Sequence, residues 1–352
     1  MKKLFLLILP AFLLASGCGN KTGKETGTEE KVTSDTGQKA TPAAEKKLLS
    51  LDNETTLLLK DLEENGDYVN SQNFPSLIKA SIVNEELGKK NLVIDIRPAD
   101  LYSKGHIKGA VNKIFSDLPE YFEAGIKPFE YDRIIMVDND GSVSSYATSL
   151  LRLMGYGNVY AMRWGMSAWN KECADQAWLK NVSGKYESKL ETAAHEKEPG
   201  STMPLLKTGL ATGPDIASAR FKKLFQDGTD KVTITADEVF SDPSKYYIIN
   251  LERKDKYEDG HIPGAIRYKP EETLGFPDEM TSIPPDKPVV VYCGTAHNSS
   301  FATAFLRLFG YDAKTLRYGN NSFMHDKMVS QKAALSWLPF TSAEVNNFEL
   351  VK

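Results

Sequence analysis

The sequence predicts an α/β protein built from two similar domains, each a parallel β-sheet flanked by helices. The first observation is an internal repeat: residues at n and n+155 match at five of six positions over 105–110 and 260–265, and at nine of thirteen over 144–156 and 299–311. The second is that short β-branched runs alternate with amphipathic helical patterns, an order typical of parallel sheets. A chain of 352 residues is long enough for two such domains.

Composition excludes several classes of protein. Lys and Arg number 43 against 47 Asp and Glu, a net charge of −4, so no basic surface points to nucleic acid as a partner. A mean hydropathy of −0.37 excludes a polytopic membrane protein. The three cysteines are too few for a disulfide framework or a four-cysteine zinc site. The sequence predicts neither a metal nor an organic cofactor.

The amino terminus is typical of an exported, lipid-anchored protein. Residues 1–17 form a signal peptide, with two lysines, a short apolar run and small residues before Cys18. This order resembles the lipobox of bacterial lipoproteins, in which the cysteine becomes acylated; an ordinary secretory signal is the alternative. Residues 18–46 are polar, and their composition predicts a flexible tether. Gly19 lacks the retention-type Asp, which implies the outer membrane of the cell envelope, on its periplasmic or surface face.

Each repeat then presents the same elements in the same order. A helix over 48–62 precedes the first copy. Buried strands are predicted at 92–96 and 247–251, central strands at 134–137 and 289–292, and helices at 144–154 and 299–309, each helix ending at a glycine. The expected domains are 47–180 and 230–352, joined by 181–229. Ligands of such sheets bind at the carboxyl ends of the strands.

The loop after the second central strand is the candidate catalytic site. Cys293 directly follows the strand, and the next residues curl into a helix. Such a loop directs backbone N–H groups inward and the helix N-terminus adds positive potential, which stabilises an anion such as the Cys293 thiolate. The alternative is a buried, inert cysteine. The predicted loop comprises Gly294, Thr295, Ala296, His297, Asn298 and Ser299.

These residues resemble a tandem-domain rhodanese, a family of sulfurtransferases. The resemblance is carried by the sequences at 94–97, 105–107, 260–265 and 291–293 and by the tryptophans of 164–169. It implies that Cys293 accepts sulfane sulfur as a persulfide and passes it to a thiol or another nucleophile. Asp138 stands at the equivalent position of the first copy, where a carboxylate cannot carry a persulfide. The first copy is therefore expected to be non-catalytic.

The loop also bears on the sulfur donor. Gly294 and Thr295 after the cysteine resemble mercaptopyruvate-type members, which implies that Thr295 works with His106 and Asp95 of the first domain. The alternative is that Asp95 and His106 only stabilise the turn after the first strand. Because the loop contains no Arg or Lys, we expect the dianion thiosulfate to bind poorly.

The second copy departs from the family pattern at several positions. Asn250 and Glu252 stand where Asp and Arg are usual, and neighbouring Arg253 is the candidate substitute. Ala296 replaces a loop glycine, and His297 is expected to be an exposed loop residue, either a local base or without a role. These departures favour a second hypothesis, a catalytically weak rhodanese-fold module that binds envelope or redox proteins.

A third hypothesis is a thiol redox protein. Cys173 lies just after the last helical segment of the first copy, where a buried core residue is the default interpretation. Exported proteins meet oxidising surroundings, so a Cys173–Cys293 disulfide would silence persulfide chemistry. The expected partners are thus a small sulfur donor, a thiol acceptor, the membrane through the lipid, and an envelope redox protein.

Overall fold

The computed structural model describes residues 51–200, 202–270 and 277–352. The predicted signal peptide, Cys18, the tether and the first residues of the predicted 48–62 helix lie outside these ranges. Both copies belong to one compact unit. Across the described ranges, every helix is too short or too polar to cross a bilayer.

The first copy contains a five-stranded parallel sheet in the order β1-β5-β4-β2-β3. Its strands are β1 Leu77–Ile78, β2 Asn91–Asp95, β3 Val111–Asn112, β4 Arg133–Val137 and β5 Val159–Met162. The helices of this half are α1 Asn53–Glu64, α2 Ala80–Glu85, α3 Ala99–Lys104, α4 Leu118–Glu120, α5 Ser142–Leu153, α6 Met166–Trp169, α7 Lys171–Gln176 and α8 Trp178–Asn181.

The second copy repeats this topology in the order β6-β10-β9-β7-β8. Its strands are β6 Thr233–Ile234, β7 Tyr247–Asn250, β8 Ile266–Arg267, β9 Val289–Tyr292 and β10 Ala313–Leu316. The helices of this half are α9 Gly213–Gln226, α10 Ala236–Ser241, α11 Lys254–Asp259, α12 Pro277–Met280, α13 His297–Leu308, α14 His325–Ser330 and α15 Lys332–Leu335. The predicted fold class, two parallel α/β sheets flanked by helices, is confirmed.

The two copies meet through their equivalent helices α5 and α13. Both helices are buried along nearly their whole length because each covers its own sheet on one side and the other helix on the other. Small residues let them approach closely: the Ser149 hydroxyl donates to the Phe301 carbonyl at 3.1 Å. This packing places the carboxyl ends of β4 and β9, and the loops after them, near the domain interface.

The segment that follows each copy in the sequence pairs with the backbone of the other copy. Glu191, in the connection after the first copy, pairs with His261 of the second through reciprocal backbone hydrogen bonds of 3.0 and 2.9 Å. Val351, at the end of the second copy, pairs in the same way with His106 of the first, at 2.9 and 3.0 Å. The trailing segments are therefore exchanged between the two repeats.

Candidate active site

The thiol of Cys293 lies at the end of β9, inside the loop that leads to α13. The side chain is only 3% exposed. Its Sγ donates to the Ser299 hydroxyl at 3.7 Å, and that hydroxyl lies 2.6 Å from the Thr315 hydroxyl. The backbone N–H groups of Thr295 and Ser299 also point at the sulfur. The loop therefore surrounds the sulfur with donors, as the sequence predicts.

The same loop of the first copy shows what these donors bind. Asp138 Oδ1 accepts from the Gly141 N–H at 2.6 Å and from the Ser144 hydroxyl at 2.9 Å, while Oδ2 accepts from the Val143 N–H at 3.0 Å. Ser144 corresponds to Ser299. A loop of this shape thus holds the Asp138 side chain, although burial and the neighbouring Asp140 raise the pKa of that carboxyl to about 7. In the second copy the equivalent N–H groups point at the Cys293 sulfur.

Ala296 does not change the path of the loop. Its φ of +66° is left-handed, as is that of Gly141, the equivalent residue, at +89°. An alanine in this conformation costs about 1–2 kcal/mol, which the surrounding structure must compensate. Ala296 in place of the family glycine therefore keeps the loop conformation and adds local backbone strain.

The electrostatics of the thiol differ from the sequence-based expectation. Burial raises the pKa of Cys293, and the nearby carboxylate of Glu252 raises it further, while the loop donors only partly oppose this rise. The expected stabilisation of the thiolate is therefore outweighed in this structure.

Glu252 takes the place that Arg97 has in the first copy. Arg97 is ion-paired with Asp95, with Nη2 and Oδ2 separated by 2.6 Å. Glu252 is 6% exposed and pairs instead with Lys256 at 3.3 Å. Burial raises the pKa of Glu252, against the attraction of Lys256. The second copy has thus replaced an acid–base pair by an acid next to the reactive sulfur.

His297 is not an exposed loop residue, and the prediction that it is exposed was wrong. It is the first residue of α13, fully buried, and its Nε2 accepts from the Trp164 backbone N–H of the first copy at 2.9 Å. Burial lowers its pKa to about 3, so the ring is neutral and holds its proton on Nδ1. Its role is to join the two domains, and Nε2 is not available as a base.

The predicted combination of Thr295, His106 and Asp95 is not brought together by the contacts of the described residues. Thr295 lines the cavity over Cys293. Asp95 is engaged by Arg97, and His106 stacks on Tyr102 with ring centroids 3.8 Å apart. The alternative, that Asp95 and His106 stabilise the turn, agrees with these contacts.

A cavity of about 210 Å³ opens over Cys293, and it contains cations that the loop itself lacks. Arg253 lines it but pairs with Asp255 at 2.6 Å, and Lys256 is engaged by Glu252. Arg163 reaches the cavity from the first copy. The prediction that the dianion thiosulfate binds poorly considered only the loop and did not include these cationic groups.

Arg163 is the residue that sequence reasoning missed. The repeat shifts from an offset of 155 to 154 after Tyr311, since β5 begins at Val159 and β10 at Ala313. With that shift Arg163 corresponds to Arg317, which lines the equivalent cavity of the first copy. Aligning the two copies with this one-residue gap pairs Arg163 with Arg317, and this alignment could have identified both arginines from the sequence.

The two equivalent arginines differ in their partners. Arg317 Nε donates to Asp140 Oδ2 at 2.6 Å. Thr295 occupies the position equivalent to Asp140, so Arg163 lacks this carboxylate, and within the described ranges its side chain forms no hydrogen bond or ion pair. Arg163 is thus a cation in the cavity that Glu344 attracts without forming an ion pair with it.

Cys173 lies at a different cavity. It lines a space of about 710 Å³ in the first copy, together with Arg97 and Arg317. Burial raises its pKa, which Arg97 partly opposes. Both Cys173 and Cys293 are free thiols, and their cavities share no lining residue. The predicted possibility of a Cys173–Cys293 disulfide is thus not realised in this structure.

Comparison with known proteins assigns the family. The model of the rhodanese-like domain matches residues 79–172 and 235–326, more than half of the chain. The chain belongs to the rhodanese-like family and carries that domain twice. A rhodanese-like sulfurtransferase or a binding module of the same fold is the class that fold and family define.

Individual relatives are more distant. An uncharacterized protein of Buchnera aphidicola subsp. Schizaphis graminum is 29% identical over 97 residues, 27% of this chain and 63% of that protein. An uncharacterized protein of Escherichia coli K12 is 26% identical over 81 residues, 23% of this chain and 57% of that protein. The chain thus spans about 60% of the length of these curated relatives.

Two solved structures align with this chain at low identity and low TM-score. A thiosulfate sulfurtransferase from Pseudomonas aeruginosa is 16% identical, with a TM-score of 0.28 over 74% of this chain and 46% of that one. A rhodanese-related protein from Thermoplasma volcanium is 23% identical, with a TM-score of 0.25 over 28% of this chain and 92% of that one.

Proposed function

We propose that this protein is a membrane-anchored sulfurtransferase that moves sulfane sulfur through a persulfide on Cys293 to a thiol acceptor. The observation that carries the proposal is the loop around Cys293. Its donors converge on the sulfur in the arrangement with which the first copy holds the Asp138 carboxylate. The same donors would stabilise the negative terminal sulfur of a persulfide.

The proposed reaction has two balanced steps. The Cys293 thiolate attacks the sulfane sulfur of the donor, a sulfur–sulfur or sulfur–carbon bond breaks, and the remainder of the donor leaves with the electron pair. The acceptor thiolate then attacks the terminal sulfur of the persulfide, releases Cys293 as a thiolate and leaves as a persulfide itself. No external oxidant or reductant is consumed.

Arg163 favours an anionic donor. The guanidinium lacks the carboxylate that its counterpart Arg317 binds, and burial lowers its pKa, as expected of a cation in a partly dry cavity. An anionic group bound there would restore a counter-charge beside Cys293. The cavity therefore suits thiosulfate or a mercapto-acid, with the negative group on Arg163 and the sulfane sulfur towards the thiol.

Mass spectrometry of Cys293 tests the proposal. After exposure of the purified chain to thiosulfate or mercaptopyruvate, the proposal expects the Cys293 peptide to gain the mass of one sulfur atom. A subsequent thiol acceptor should remove it. An unmodified peptide would favour the binding module described next, and a peptide linked to Cys173 would favour the redox protein.

The alternative function is a rhodanese-fold binding module. It is favoured by the electrostatics of Cys293, whose pKa is raised by burial and by Glu252. The first-copy cavity of about 710 Å³ is larger than the one over Cys293 and contains Arg97 and Arg317. A protein partner, such as an envelope redox protein, would then be bound without sulfur transfer.

Replacing Glu252 by glutamine is expected to activate the thiol. The substitution removes a negative charge that raises the pKa of Cys293 and leaves Lys256 without its carboxylate partner. An opposite charge at such range lowers a pKa by roughly 1–3 units. In a Cys173→Ser background, the midpoint of the pH profile of Cys293 alkylation should therefore fall by that amount.

Glu258→Gln is the matched control because Glu258 lies on α11, the helix that carries Lys256, and is 52% exposed. It should leave the midpoint unchanged. Equal midpoints in all three proteins would show that Glu252 does not govern the thiol.

The membrane anchor is a separate part of the proposal. We expect Cys18 to carry acyl chains that hold the protein at the outer membrane, since several chains bind a bilayer stably. Cys18→Ser should therefore move the chain from the membrane fraction to the soluble fraction, or block removal of residues 1–17. A variant that stays fully processed and membrane-bound would contradict acylation at this cysteine.

A further inference from the structure

A cluster of two histidines and one carboxylate lies outside the Cys293 cavity. It consists of Glu191 and His195 from the connection between the copies and His261 from the Gly-His-Ile turn of the second copy. One ligand atom from each residue lies within 4.8 Å of the others. His195 Nε2 is 2.7 Å from Glu191 Oε1, and His261 Nε2 is 3.5 Å from the same oxygen. We refer to these residues as the linker cluster.

His261 is the member that points to a ligand. Its side chain is fully buried, with Nδ1 2.8 Å from the Tyr257 carbonyl oxygen and Nε2 3.1 Å from the Ala193 carbonyl oxygen. A neutral imidazole has one N–H, so it can donate to only one of these oxygens. If Nδ1 donates to the nearer oxygen, the Nε2 lone pair faces Ala193 and Glu191. A cation bound at Nε2 would remove the repulsion between this lone pair and the two oxygens.

The contacts around the linker cluster fix the orientation of its side chains, as is usual for metal ligands. Metal-binding histidines usually donate their other ring N–H to a carbonyl, which fixes the tautomer, and Tyr257 supplies that carbonyl. The Gly264 N–H donates to Glu191 and holds its carboxylate. Glu191 and His261 are also fixed to each other by their backbone pairing. Two of the three side chains are thus positioned before any ion binds.

We propose that the linker cluster binds Zn²⁺ through Glu191, His195 and His261. Imidazole nitrogen together with a carboxylate suits zinc better than Mg²⁺ or Ca²⁺, which prefer oxygen. At metal–ligand distances of about 2.0–2.1 Å, tetrahedral ligand atoms lie roughly 3.3 Å apart. The 3.5 Å between His261 Nε2 and Glu191 Oε1 is already close to this value, and a small shift of the exposed His195 lengthens its 2.7 Å separation from the same oxygen. The Ala193 carbonyl oxygen is within reach of the fourth position.

A zinc ion bound to the linker cluster would join the connection between the copies to the second copy. Sequence reasoning predicts no metal because the ligands are separated by 66 residues between His195 and His261, without a recognised spacing motif. The first copy offers a comparison. His106 is the equivalent of His261, but its backbone partner is Val351, which has no ligand atom. The inferred site is therefore specific to the second copy.

Zinc titration of the purified full-length chain in detergent tests the proposal. All cysteines are alkylated first, so that thiolates cannot bind the ion. The metal-free wild type should bind one equivalent of Zn²⁺, and its Tm should rise when zinc is added. His195→Ala should weaken binding at least about ten-fold and abolish the Tm rise. Because His195 is 41% exposed, the substitution should not threaten the fold.

His106→Ala is the matched control and should bind zinc as the wild type does. Glu191→Gln provides a second test, since it keeps the shape of the side chain and removes its charge. Co²⁺ in place of zinc should give the visible bands of a tetrahedral nitrogen–oxygen site in the wild type but not in His195→Ala. Equal zinc affinity in wild type and His195→Ala, or no binding by the wild type, would overturn the proposal.

Discussion

Cys293→Ser is expected to abolish sulfur transfer, with a loss of at least about a thousand-fold in turnover. Serine keeps the size of the side chain and its contact with Ser299, but its hydroxyl is not a persulfide carrier. The variant should therefore fold as the wild type does. Steady-state release of the donor's leaving group, with circular dichroism to check the fold, measures both properties.

Two controls separate the chemistry from the structure. Cys173→Ser removes the other free thiol of the described residues and should keep turnover, because Cys173 lines a different cavity. Asp138→Asn alters the equivalent loop of the first copy, where a carboxylate accepts three hydrogen bonds, and should change stability rather than turnover. Retained turnover in Cys293→Ser would rule out the persulfide route.

Gly319→Ala is expected to disrupt the active-site loop. The backbone of Gly319 has a φ of +54°, and an added Cβ would lie 2.1 Å from the Cys293 carbonyl oxygen. That oxygen cannot turn away freely because it accepts from the Asn320 N–H at 3.0 Å. The left-handed backbone and the overlap together predict a loss of about 2–5 kcal/mol in the free energy of unfolding. Sulfur transfer should fall in the fraction that still folds.

Gly109→Ala separates the two causes. Gly109 also has a positive φ, +80°, but an added Cβ would have nothing within 4 Å. It should therefore cost only about 1–2 kcal/mol. Urea unfolding of both variants gives the comparison. Similar losses would mean that backbone conformation, rather than the contact with Cys293, makes Gly319 necessary.

The fold could be predicted from the sequence because the same order of strand and helix patterns occurs in both copies. Strands β4 and β9 are buried on both faces, so their hydrophobic runs are continuous and readable, and the helices after them end at glycines. The position of Cys293 follows from the same pattern, since a residue directly after a central strand lies at the carboxyl edge of the sheet. These properties depend on local sequence.

The electrostatics of the site could not be predicted in the same way. The pKa of Cys293 depends on how deeply the loop is buried and on the side chain of Glu252, and both are set by packing between elements. His297 appears as a polar loop residue in the sequence, yet the approach of the first copy buries it. Arg163 is distant in sequence from Cys293 and reaches its cavity only because α5 and α13 bring the copies together.

The exchange of trailing segments has a consequence for the history of the repeat. Once the end of each copy is built into the other, neither half can be discarded without leaving an unfinished sheet edge and turn in the half that remains. The copy with Asp138 would thus persist after a duplication even with no reaction of its own, because it is the scaffold that completes its twin. Divergence is then free to act around Cys293, where Asn250, Glu252 and Ala296 depart from the family pattern while the architecture stays intact.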